Sequence, residues 1–151
     1  MSGDAPVDLD RIRRAVRAAL RPYRLPRDTQ VGLAFVGDAE MRRLDRTHRG
    51  IDRTTDVLSF GQALPRGVKG AAARPLLRRE ADGTLELGDI VISVAQARRQ
   101  ATRARRALGW ELAFLAAHGA LHLVGYEDET PDGYREMVRL GTKAVDIRPP
   151  V

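Results

Sequence analysis

No cysteine occurs among the 151 residues, which excludes both a disulfide scaffold and a thiolate metal site. No apolar run approaches the roughly 18 residues of a membrane-spanning helix, and the first residues lack the apolar core of a signal peptide. The expected compartment is therefore the cytoplasm, and no membrane partner is expected. No internal repeat recurs at solenoid spacings. Lysine is scarce beside arginine, yet Lys+Arg total 26 against 20 Asp+Glu, for a formal charge of +6 and a pI near 10.6. Such a balance suits a polyanion partner. Arginine excess also arises from genome composition alone, so position is more informative than the total. Residues 1–110 hold 22 Lys+Arg against 13 Asp+Glu, whereas 111–151 hold 4 against 7.

What is present fits one globular domain spanning 1–151, with 43% hydrophobic and 30% charged residues. Residues 7–20 pattern as an amphipathic helix, with Leu9, Ile12, Val16, Ala19 and Leu20 inward and Pro22 and Pro26 ending it. Residues 30–36 alternate as a strand. Asp38 is placed to cap a short helix over 39–47, with Met41 and Leu44 inward. Strands are expected over 56–60 and 85–93, the second with a bulge at Gly88-Asp89. Between them, residues 62–83 are rich in Gly, Pro and Arg and are expected to form a mobile, basic loop. Ser93 is placed to cap a helix running to about residue 108. A last helix starts at Thr130-Pro131, with Tyr134, Met137, Val138 and Val145 docking it. The class is α+β: a small mixed sheet flanked by helices, with a buried helix at its centre.

That central helix, residues 109–124, ends in the string HGALHLVGYED, residues 118–128. From Leu112 to Val124 it carries no formal charge beyond what its histidines take up, so it is apolar nearly all round. His118 and His122 sit four apart, on one face and one turn from each other. Gly125 then allows the left-handed conformation that turns the chain back. The turn returns Asp128 towards the imidazoles, and two nitrogens with one carboxylate oxygen form a sound ligand set for a divalent metal. The spacing matches the metzincin zinc motif, but Gly119 stands where that motif carries its Glu base. Other assignments stay open. Glu127 or Glu129 is placed to substitute for Asp128, His48 could complete a three-His set, or Asp128 merely caps a turn.

The string resembles the HGxLHLxGYDH signature of the YbeY family of metal-dependent, single-strand endoribonucleases. The likeness extends to residues 37–60, GDAEMRRLDRTHRGIDRTTDVLSF, and to LGDIVIS at 87–93, and spans about residues 31–140. The resemblance implies a ribonuclease acting in rRNA maturation, with RNA and the ribosome as partners. It implies zinc as the cofactor, held by His118, His122 and Asp128; Asp128 replaces the third His of the family and also suits iron, manganese or nickel. It implies Arg49 as the catalytic phosphate clamp, because guanidinium binds phosphoryl oxygens in pairs and stays charged. Arg53 is the stand-in. Asp56 and Asp89 are placed to hydrogen-bond the imidazoles, and Ser59 and Phe60 to wall the cleft. Family members begin with a strand that this chain is expected to lack, and Asp45 stands where they usually carry Asn. A different metallohydrolase, or a catalytically silent RNA-binding protein, remains an alternative.

Overall fold

In the computed structural model, which describes residues 7–49 and 55–146, five helices surround a three-stranded sheet. The order is α1 (Leu9–Leu20), β1 (Gln30–Val36), α2 (Asp38–Arg49), β2 (Val57–Gly61), β3 (Glu86–Ser93), α3 (Val94–Ala104), α4 (Leu108–Leu123) and α5 (Pro131–Asp146). Strand β3 lies in the middle, parallel to β1 and antiparallel to β2. This is the mixed sheet flanked by helices that the patterning implies.

The bulge is real and has a packing purpose. The β1–β3 register jumps between Gln30, opposite Glu86, and Val31, opposite Gly88. Side chains alternate faces along a strand, so without the extra residue Leu87 would share a face with Asp89. With it, Leu87 joins Ile90 and Ile92 in the main core, while Val91 packs on the opposite face with Met41 of α2 and Leu58. Gly88 takes φ +149°, and a Cβ there would lie 2.3 Å from the Phe60 carbonyl.

Helix α4 packs against α1, α3, α5, β2 and β3. Its apolar circumference explains this central place: Leu112, Ala113, Ala116, Ala117, Ala120 and Leu121 are all buried. Each buried Leu or Ile in this layer contributes about 1.5–3 kcal/mol. Helix α1 is capped by Asp8, which accepts from the Arg11 amide at 3.1 Å, and buries Ile12, Ala15, Val16, Ala18 and Ala19. Leu9, expected inward, is 41% exposed in the first turn of α1.

Other expectations need correction. Asp38 does not cap α2: its carboxylate takes the Arg99 guanidinium at 2.9 and 3.0 Å and lies 3.2 Å from the Ser93 hydroxyl. The ion pair holds the Asp38 pKa below its usual value, and the Gly37 carbonyl receives the first α2 amide, from Met41. Ser93 caps α3 as expected, accepting from the Gln96 amide at 3.1 Å. The helix ends earlier than expected, however, because Arg105 turns left-handed at φ +58° and α4 begins at Leu108. Thr130 caps α5 through its hydroxyl, 3.0 Å from the Gly133 amide, and Met137 is fully buried, but Tyr134 stays 55% exposed.

The segment 62–83 has a defined course. Two 3-10 turns, Gly70–Ala72 and Arg74–Leu76, lie within it. The Gln62 amide holds both ends, accepting from the Arg78 amide at 2.7 Å and donating to the Arg78 and Glu86 carbonyls. Its middle is pinned by the Gly70 amide, which donates to the Val124 carbonyl at 2.8 Å, and by Lys69, 2.6 Å from Glu136. Composition suggested mobility, but the small residues Gly70 and Ala73 are what let this strap press into the fold; Ala73 is fully buried.

Candidate metal centre

The site is built on the last two turns of α4 and the turn that follows it. Gly119 lies where the helix meets the sheet: a Cβ there would stand 2.7 Å from Ile90 Cγ2, and the Ser59 hydroxyl donates to the Gly119 carbonyl at 3.0 Å. The residue that replaces the metalloprotease Glu is thus required for close packing. Gly125 takes φ +98°, and a Cβ there would lie 2.1 Å from the Val68 carbonyl oxygen. Both conformation and space demand glycine, and the strap is the second wall of the turn.

The turn returns Asp128 to the histidines. Its Oδ2 lies 3.1 Å from His118 Nε2 and 3.4 Å from His122 Nε2. His118, His122 and Asp128 each offer a ligand atom, and these atoms all lie within 4.8 Å of one another. A tetrahedral zinc with bonds of about 2.05 Å would separate its ligands by about 3.3 Å. The two distances from Asp128 bracket that value, while the whole donor set spreads to 4.8 Å, so the two imidazoles would draw together on a bound ion.

The electrostatics favour ligation at neutral pH. Hydrogen bonding from His118, reinforced by charge on both imidazoles, holds the Asp128 pKa at about 2 against the opposing effect of burial. Burial first, then the neighbouring His118, lowers the His122 pKa, against the pull of Asp128. The carboxylate is therefore charged and the His122 ring neutral, the protonation states that metal ligation requires. His122 Nδ1 lies 2.9 Å from the Tyr126 carbonyl. Donation of Nδ1–H to that oxygen leaves the Nε2 lone pair facing Asp128 and the metal position. His118 Nδ1 is buried and, among the described residues, has no hydrogen-bond partner.

Several residues singled out from the sequence lie elsewhere. Asp56 accepts from the Val57 amide at 2.7 Å and from Gln100, and Asp89 crosses Gly32 on the other face of the sheet. Neither bonds an imidazole. His48 rests on Phe60, ring centroids 4.5 Å apart, and is not among the three donors. Glu127 is committed to the turn, taking the Glu129 and Thr130 amides and the Thr130 hydroxyl. The side chain of Arg49 and the whole of Arg53 lie outside the described residues.

What sequence reading missed is the support. The Tyr126 side chain pairs with Tyr23, hydroxyls 2.7 Å apart, while its carbonyl orients His122. Tyr126 lies inside the motif, but nothing in its identity announces a role for its backbone oxygen.

Known proteins resemble this chain over most of its length. The model of the family described as "Endoribonuclease YbeY" matches residues 4–147. A Moorella thermoacetica protein named Endoribonuclease YbeY is 41% identical over 129 residues, covering 85% of this chain and 79% of that protein. The Desulforamulus reducens protein of the same name is 40% identical over 122 residues, covering 81% and 74%. The solution structure of TM1509 from Thermotoga maritima shares the fold, with a TM-score of 0.57 at 24% identity, over 91% of this chain and 79% of that one.

Proposed function

Because the chain belongs to the YbeY endoribonuclease family, we propose that it is a metal-dependent, single-strand-specific endoribonuclease acting in rRNA maturation at the ribosome, with the whole reaction carried by one domain. The observation that carries this reading is a single carboxylate oxygen, on Asp128, facing two imidazole nitrogens at 3.1 and 3.4 Å. No described helix is long and apolar enough to cross a membrane.

His118, His122 and Asp128 would hold the ion, and zinc is the metal assigned; iron, manganese and nickel are the competitors that a carboxylate ligand admits. A divalent ion held by three side chains supplies Lewis acidity and an activated water at neutral pH. The chain's own part is positional. The Tyr126 carbonyl fixes the His122 ring, the Tyr23 hydroxyl and the strap fix Tyr126, and Asp128 stays ionised through the neutral range. Arg49 is assigned the neutralisation of charge on the phosphoryl oxygens as they become more negative. With Gly119 packed against Ile90, α4 has no room for a carboxylate base at that position.

The test is cleavage of end-labelled single-stranded and duplex RNA by protein stripped with chelator and reloaded with one metal at a time. Internal cuts in the single strand, restored by zinc and lost in His118→Ala, are the expected result. Tight RNA binding without cleavage under every metal would replace the nuclease by a silent RNA-binding protein.

A further inference from the structure

A second polar feature lies at the other end of the strap. Arg24, Arg74 and Arg79 line an open groove of about 450 Å³ floored by Pro26, Leu77 and Leu85. All three arginines are exposed. Arg74 Nη1 donates to the Arg24 carbonyl at 3.2 Å, which ties the strap to the chain end of the Arg21–Tyr23 turn. Arg24 itself takes a left-handed φ of +51°, an uncommon conformation for a residue with Cβ. Arg79 donates to the Gly83 carbonyl at 2.7 Å and lies 4.0 Å from Asp28. Among the described residues that carboxylate is the only partner charge at the groove, and the Arg24 guanidinium has no acceptor. Three cations, two of them tied to backbone carbonyls, thus share one groove with at most one opposing charge.

The groove is joined to the metal centre by short links. Gly70 donates to the Val124 carbonyl, beside the metal turn, and Arg74 follows four residues later. Four residues reach at most about 14 Å. From the other side, Tyr23 touches Tyr126 and Arg24 follows it directly. These links keep the arginine-bearing segments within a few nucleotide lengths of the metal turn.

We propose that this groove is a phosphate-binding subsite that holds the backbone of single-stranded RNA beside the metal centre, the apolar floor accommodating sugar or base faces. The inference rests on the ribonuclease reading above. Guanidinium groups pair with phosphate oxygens in two-point contacts and give binding its salt dependence without selecting sequence.

The experiment measures RNA affinity against salt in a His118→Ala background, where cleavage cannot interfere. Each phosphate contact to a single strand contributes about 0.7 to the log–log slope. Arg24→Gln/Arg79→Gln is expected to reduce the slope by about 1.4, and Arg24→Gln alone by about 0.7. The latter removes only a side chain without an acceptor and guards against a folding defect. Arg103→Gln/Arg105→Gln, which removes equal charge from the end of α3, is expected to leave the slope unchanged. A groove variant with the parental slope, or a control that falls as far, overturns the subsite. In the cleaving protein, the double variant should raise KM and leave kcat alone, as loss of uniform binding does. A parent chain that cuts no RNA would refute the nuclease reading, and the slope would still decide the groove.

Discussion

Replacing Asp128 with Asn keeps the shape of the side chain and removes its charge, which separates a metal ligand from a turn-forming residue. Two consequences follow from the geometry of the site. In metal-free protein, the carboxylate loses its contacts to two imidazoles. The gap between the ordinary 3.8 and about 2 corresponds to about 2.4 kcal/mol for a fully enclosed group. The side chain is 38% exposed, and solvent screening brings the expected loss to about 1 kcal/mol. The sign follows from the lowered pKa: this stability is present above pH 3.8 and disappears as pH falls towards 2. Asp128→Asn should therefore be less stable at pH 6 in chelator and should lack that part of the acid dependence. In zinc titrations against a chromophoric chelator, affinity should fall at least about 100-fold, since loss of a ligand should exceed the 10–100-fold cost of losing a supporting partner. Asp128→His, which restores the family's third imidazole, should keep affinity within about tenfold. Zinc affinity of Asp128→Asn within threefold of the parent would refute the ligand assignment.

Arg49→Ala is expected to reduce kcat about 100-fold with the thermal midpoint unchanged, and Arg49→Lys to recover only part, because a point charge cannot replace the two-point contact; single-turnover cleavage checks both. Gly119→Ala should cost about 1–3 kcal/mol in urea unfolding, because its methyl would enter the space of the fully buried Ile90. Burial and the Tyr126 hydroxyl raise the Tyr23 pKa above its usual 10.0, so its contribution is complete below pH 10 and is lost as pH rises beyond it. Tyr23→Phe should lose about 1 kcal/mol at pH 7 and show a smaller further loss at alkaline pH than the parent, measured by urea midpoints at both.

Where interactions are local, they were legible in the residues. The Ser93 and Thr130 caps, the left-handed Gly125, the one-turn spacing of His118 and His122 and the apolar circumference of α4 all depend on neighbours within about four positions. The motif also placed Asp128 on a turn, and the turn brings it back. Arg49 and its clamp role remain a proposal, since that side chain lies outside the described residues.

Residue identity could not settle choices between distant partners. Asp38 had a cap position within reach, but Arg99 offered a charge-assisted pair from another helix. Composition marked 62–83 as loose; contacts across the fold, from Gly70 to Val124 and from Lys69 to Glu136, order it. Tyr23 meets Tyr126 across 103 positions, and through that pair the strap supports the ring orientation of His122. Chain periodicity therefore determined the elements and the ligand spacing by itself. Tertiary packing decided which face the bulge serves, which acids approach the imidazoles and where three arginines converge, because those outcomes depend on surfaces that exist only once the helices close on the sheet.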